Sequence, residues 1–159
     1  MIVHNFDPVL IDFGVIQIRW YSLAYIFGIL IGWWYGKIIL KKQVGQNNNE
    51  IYLSKFDDLI GYLIIGIIAG GRLGYVFFYD PIFYIENFLE IFKIWKGGMS
   101  FHGGLAGVAI SAYIFSIKNN LNYKIYFDTI SSVAPIGIFL GRISNFINGE
   151  LYGVPTQKA

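Results

Sequence analysis

LIGYLIIGIIAGGRLGYVFFY (59–79) and TISSVAPIGIFLGRISNFING (129–149) each hold one arginine, Arg72 and Arg142, in a run that is otherwise free of charge. Both runs are long enough to cross a hydrocarbon core of about 30 Å, which takes about 20 helical residues. A charge inside such a helix costs at least about 2.5 kcal/mol, so it faces a bundle interior or a wet cavity and acts there. Each arginine follows an aspartate at the same interval, Asp58 before Arg72 and Asp128 before Arg142. The two guanidinium groups are therefore expected at matched depth.

Two further apolar runs, near 20–39 and 97–117, bring the expectation to about four transmembrane helices in an all-α membrane protein, a single integral membrane domain over residues 1–159. The composition agrees: 55% of the residues are hydrophobic, 19% aromatic and only 14% charged, too apolar for a soluble domain of this length. A net charge of +2 from scattered basic residues gives no nucleic-acid surface. The absence of cysteine excludes disulfides, thiolate catalysis by this chain and Cys-based metal sites. No carboxylate cluster suggests a metal, and no cofactor is expected. No Lys or Arg precedes Arg19, so the first run is expected to be a retained helix and not a cleaved signal peptide.

Lys37, Lys41, Lys42 and Lys55 follow the first run and Lys118 and Lys124 the third, whereas the opposite side holds Arg19, Lys93, Lys96 and Lys158. The excess of positive charge places those two loops in the cytoplasm and the amino terminus outside. Between the second and third runs, Asp80-Pro81 reads as a capped helix start. The residues after Pro81 are amphipathic, with Glu86, Glu90 and Lys93 on one face among Ile82, Phe83, Ile85, Phe88, Leu89 and Phe92. An outer interfacial helix anchored by Trp95 and ended by Gly97-Gly98 is expected. Glycines recur every fourth residue within the runs, at Gly28, Gly32 and Gly36, Gly66, Gly70 and Gly74, Gly103 and Gly107, and Gly137 and Gly141. This spacing lets helix backbones approach closely.

Run directions put Arg72 and Arg142 in the outer half of the bilayer, His102 near the outer start of the third run, Tyr21 at the outer rim of the first, and Asn145, Asn148 and Glu150 at the outer end of the fourth. Each has a plainer reading: the arginines could snorkel to headgroups, His102 could bond a neighbouring helix, Trp20 and Tyr21 could be belt aromatics, and His4 is a surface residue. Taken together, paired arginines suit a phosphate through charge-assisted, two-point hydrogen bonds, and a histidine suits a general base near neutral pH. The phosphate found at that depth is a phospholipid headgroup.

WKGGMSFHGGLAG (95–107) and GRISNFINGELYG (141–153), with IRWYSLAY (18–25) and GGRLGYVFFY (70–79), resemble prolipoprotein diacylglyceryl transferase over nearly the whole chain. The resemblance implies a multi-pass enzyme of the bacterial cytoplasmic (inner) membrane. It would move the diacylglyceryl group of phosphatidylglycerol onto the lipobox cysteine of a prolipoprotein signal peptide and release glycerol phosphate, the first step of lipoprotein maturation. It implies catalytic roles for His102, Arg142 and Tyr21, and lipid binding by Arg142, Arg72, Asn145, Glu150 and Gly153. The family pattern continues past the position of Ala159 with further helices and another functional arginine. An inactive remnant, or a subunit that binds a phospholipid headgroup without turnover, are the alternatives.

Overall fold

The computed structural model of the chain describes residues 6–14, 17–45 and 49–150. His4, Asn48 and Gly153 lie outside the described residues. A two-stranded antiparallel hairpin, β1 (Val9–Asp12) and β2 (Gln17–Arg19), leads into α1 (Trp20–Gln43). Then come α2 (Asn49–Phe78), α3 (Pro81–Glu86), 3-10 turns at Phe88–Phe92 and Ile94–Lys96, α4 (Phe101–Lys118) and α5 (Tyr123–Ile147). The molecule is a helical, multi-pass membrane protein. Three helices, α1, α2 from Glu50 and α5, are long and apolar enough to cross a membrane. α4 is the shortest of the four long helices at 18 residues, and its His102-Gly103-Gly104 start and Lys118 end lower its hydropathy.

The chain divides into two compact units, one of residues 1–36 and 130–159 and the other of residues 37–129. In the first, the hairpin is closed by Asp12, whose carboxylate accepts from the Gly14 amide at 2.7 Å and the Gln17 side chain at 3.0 Å. Gly28 and Gly32 of α1 face α5: a Cβ on Gly28 would lie 3.4 Å from the Gly137 Cα, and one on Gly32 would lie 3.9 Å from Val133. The Ser144 hydroxyl donates weakly to the Trp20 carbonyl at 3.4 Å.

In the second unit, α2 and α4 cross through their glycines. A Cβ on Gly107 would fall on the Gly66 carbonyl, one on Gly103 on the Gly70 carbonyl, and one on Gly74 within 2.7 Å of the Gly103 Cα. Small residues here admit backbone to backbone contact, as their spacing predicts. Toward the other end of this unit, Leu40, Phe56, Leu59, Phe115 and Tyr126 are almost wholly buried. Tyr126 packs against Tyr52, Phe56 and Phe115 with ring centroids 5.6 to 6.3 Å apart and donates to the Tyr52 carbonyl at 3.2 Å. Tyr52 in turn accepts from the Asn122 amide at 3.1 Å. A salt bridge of 2.8 Å joins Lys37 to Asp57.

The amphipathic segment after α2 departs from the expected single helix. Pro81 does start a helix, but Asp80 makes no side-chain cap bond, and the helix stops at Glu86. Asn87 leaves helical geometry at ψ 59°, with both its amide and its side chain donating back to the Phe83 carbonyl. Beyond it, the carbonyls of Glu90, Ile91 and Lys93 turn toward the Arg72 guanidinium. Carbonyls held that way cannot sustain an α-helical ladder, and short 3-10 turns remain.

Candidate functional site

The candidate residues divide between the two units. In the first, α5 ends at Ile147, and Gly149, at φ 66°, folds the chain back on it. The Glu150 amide then bonds the Asn145 carbonyl at 2.9 Å. This left-handed turn is one that glycine adopts without a Cβ penalty. It brings the Glu150 carboxylate to the side-chain amides of Asn145 at 3.4 Å and Asn148 at 3.1 Å. Asn145 also donates to the Tyr21 hydroxyl oxygen at 2.6 Å. Tyr21, Asn145 and Glu150, far apart in sequence, are thus one hydrogen-bonded group. Because Asn145 fills an acceptor site on the phenol oxygen, the Tyr21 O–H proton is left to donate elsewhere.

Arg142 lies one helical turn before Asn145 and is exposed. The buried Asn148 Oδ1 has no hydrogen-bond partner among the described residues, so it is an acceptor open to a donor from elsewhere. From the sequence, Asn148 reads only as part of a polar helix end. Its position three residues after Asn145, on the same helix face, is the signal that marks it out.

In the second unit, Ser100 caps α4, its hydroxyl accepting from the Gly103 amide at 3.2 Å, while its own amide donates to the Gly71 carbonyl at 2.8 Å. His102 sits in the first turn so fixed, exposed, with its ring edge-on to Phe101 at 5.7 Å. Arg72 is 4% exposed. Its Nε donates to Ile91 O at 2.8 Å, Nη1 to Gly97 O at 2.5 Å and Gly98 O at 3.1 Å, and Nη2 to Glu90 O at 2.6 Å and Lys93 O at 3.4 Å. The Tyr84 ring centroid lies 5.1 Å from the Arg72 Cζ. A guanidinium has five N–H donors, and each is directed at a backbone carbonyl. The guanidinium expected to hold a lipid phosphate is thus directed, through all five donors, at the protein's own backbone.

Glu90 accepts from Lys93 at 2.6 Å and Lys96 at 2.7 Å. Those hydrogen bonds, Lys93 first, hold its carboxyl below the usual glutamate range.

Residues 8–159 match the family model described as prolipoprotein diacylglyceryl transferase. The chain belongs to that family. It is 50% identical over 159 residues to the phosphatidylglycerol–prolipoprotein diacylglyceryl transferase of Rickettsia canadensis (strain McKiel), covering 100% of this chain and 60% of that protein. The like-named protein of Rickettsia bellii (strain OSU 85-389) is 48% identical over 155 residues, 98% of this chain and 57% of its own length. That of Methylocella silvestris is 48% identical over 152 residues, 95% of this chain and 56% of its own. The chain thus spans about 60% or slightly less of the curated relatives it matches. The family match runs through both units and takes in Tyr21, Arg72, His102, Arg142, Asn145, Glu150 and Gly153.

Proposed function

We propose that these residues form the lipid-phosphate and thiol-activating part of an enzyme that transfers the diacylglyceryl group of phosphatidylglycerol to the lipobox cysteine of a prolipoprotein. The observation that carries this is the Tyr21–Asn145–Glu150 linkage beside an exposed Arg142, in a chain whose family match is nearly complete. Arg142 holds the phosphodiester through its planar fork, and the Tyr21 O–H adds a neutral donor. Asn148 Oδ1 accepts from a hydroxyl of the headgroup glycerol.

His102 takes the proton of the substrate cysteine, whose thiol otherwise ionises near pH 8.5. The thiolate attacks the carbon of the diacylglyceryl group that carries the phosphate oxygen. A C–S bond forms, the C–O bond to phosphorus breaks, and the electron pair leaves on the glycerol phosphate, where Arg142 stabilises it. No metal or cofactor enters this scheme.

We place the chain in the bacterial cytoplasmic membrane with the amino terminus outside, α4 as a fourth span, and both units in one integral membrane domain. The exposed Ile82, Ile85, Phe88, Leu89, Phe92 and Trp95 support an interfacial seat for the segment after α2. The test is transfer of labelled diacylglyceryl from phosphatidylglycerol vesicles to a lipobox peptide. It is run with this chain and with a chimera in which residues 1–159 replace the matching stretch of the Rickettsia canadensis relative. Label on the cysteine peptide, and none on its serine counterpart, is the expected outcome. Headgroup binding by the chimera without transfer would favour a non-catalytic subunit.

A further inference from the structure

We propose that Arg72 is a positioning residue: its guanidinium is the built-in cation of a backbone carbonyl cage that fixes residues 90–98 against α2 and so sets the first turn of α4, where His102 stands. The cage is complete, with five donors on the carbonyls of Glu90, Ile91, Lys93, Gly97 and Gly98 and the Tyr84 ring lying against the guanidinium. Bringing carbonyls from both sides of a sharp turn onto one planar group requires unusual backbone, and Gly97 and Gly98 supply it at φ 84° and 80°. The fit at Gly98 is close: a Cβ there would lie 2.8 Å from Arg72 Nη1 and 2.8 Å from the Tyr75 ring, whereas one on Gly97 would meet nothing within 4 Å.

The next links are direct. Ser100 is 5% exposed, bonds the carbonyl of Gly71, the residue beside Arg72, and caps α4 two residues before His102. Gly103, one residue beyond His102, is pressed against Gly70 and Gly74 of α2. The His102 backbone is thus held between the cage on one side and the glycine crossing on the other. Lysine at position 72 would keep the charge but offer three donors from one point, too few to hold five carbonyls spread around a plane.

The effect on transfer rests on the role proposed for His102; the cage itself does not. The experiment therefore has one arm for each. Amide hydrogen exchange on this chain in lipid nanodiscs is compared for wild type and Arg72→Lys. Residues 90–104 are expected to lose at least about tenfold protection while 130–147 keep theirs; unchanged protection in 90–104 overturns the cage. Arg72→Ala should regain protection with methylguanidinium and not with equal methylammonium, and equal rescue by both would reduce Arg72 to a bare charge.

Should the position 72 variants fail to fold, Gly98→Ala is compared with Gly97→Ala. Both place alanine at positive φ, but only the former meets Arg72 and should exchange faster across 90–104; equal behaviour overturns the cage. In the transfer assay with the chimera, Arg72→Lys should lower kcat and leave the KM for phosphatidylglycerol within about twofold. A raised KM with kcat intact would make Arg72 a lipid ligand instead. A chimera without transfer activity would overturn the proposed transferase function, and the exchange arm would still decide the cage.

Discussion

Among single side chains, the Asn145 amide is the hinge of the candidate site, because it joins Tyr21 of α1 to Glu150 beyond α5. A hydrogen bond of that kind contributes about 1 kcal/mol net, so Asn145→Ala and Tyr21→Phe should not add. A double-mutant cycle on kcat/KM in the chimera should return a coupling of about 1 kcal/mol, and strict additivity would separate the two residues functionally. His102→Gln keeps a hydrogen-bonding side chain without a base that titrates near neutral pH, so transfer should fall about 10²-fold, the scale of a lost general base. Near-normal turnover would make His102 structural. These residues stood out as candidates in the sequence through the resemblance, but the Tyr21–Asn145 bond did not, because no local rule links the start of one helix to the end of another. The surroundings of Arg72 were hidden for a related reason. Sequence shows an intramembrane charge, and only backbone folding shows that carbonyls from 90 to 98 already surround it.

Pairs of elements carry the packing predictions. Gly107→Ala would set a methyl on the Gly66 carbonyl and force α2 from α4, whereas Gly61→Ala enters open space. The first should lower stability by about 1–3 kcal/mol, the scale of overpacking, and the second should be neutral or stabilising, since alanine is the better helix former by about 1 kcal/mol. Thermal midpoints by circular dichroism in detergent check both. The four-residue glycine spacing foretold this crossing because it is a helical periodicity. The segment after α2 was only partly foretold: its amphipathic pattern gave the exposed apolar side chains, while the break at Asn87 and the 3-10 turns arise from Arg72, distant in sequence. The β1–β2 hairpin was missed, although Asp12 and Gly14 were present as a turn signal. Glu90 gives this segment a pH dependence. Its carboxyl ionises below the ordinary 4.5 in the fold, so its contribution is present above that value and is lost as pH falls through the lowered one. The thermal midpoint of Glu90→Gln should therefore lie below wild type at pH 7 and converge on it in acid; a gap independent of pH would remove the Glu90–lysine pairs from the account.

For the molecule as a whole, orientation and activity are the claims that matter. With no native cysteine, a single cysteine at Asn119 should be shielded from an impermeant thiol reagent in intact cells and one at Asn87 should be labelled; the reverse would turn the site to the cytoplasm. Four apolar runs were legible from length and hydropathy, and the structure bears out three as long enough helices, because glycines, His102 and Lys118 dilute the fourth. The claim on which the rest depends is that Arg142 holds the phosphate that departs in the reaction. It is tested most directly by transfer of labelled diacylglyceryl to the lipobox cysteine peptide in the chimera carrying residues 1–159, with arginine or lysine at position 142. The account predicts transfer with Arg142 and a loss of at least about 10²-fold in Arg142→Lys, as for other groups that stabilise a developing oxyanion. Equal rates for the two would contradict it.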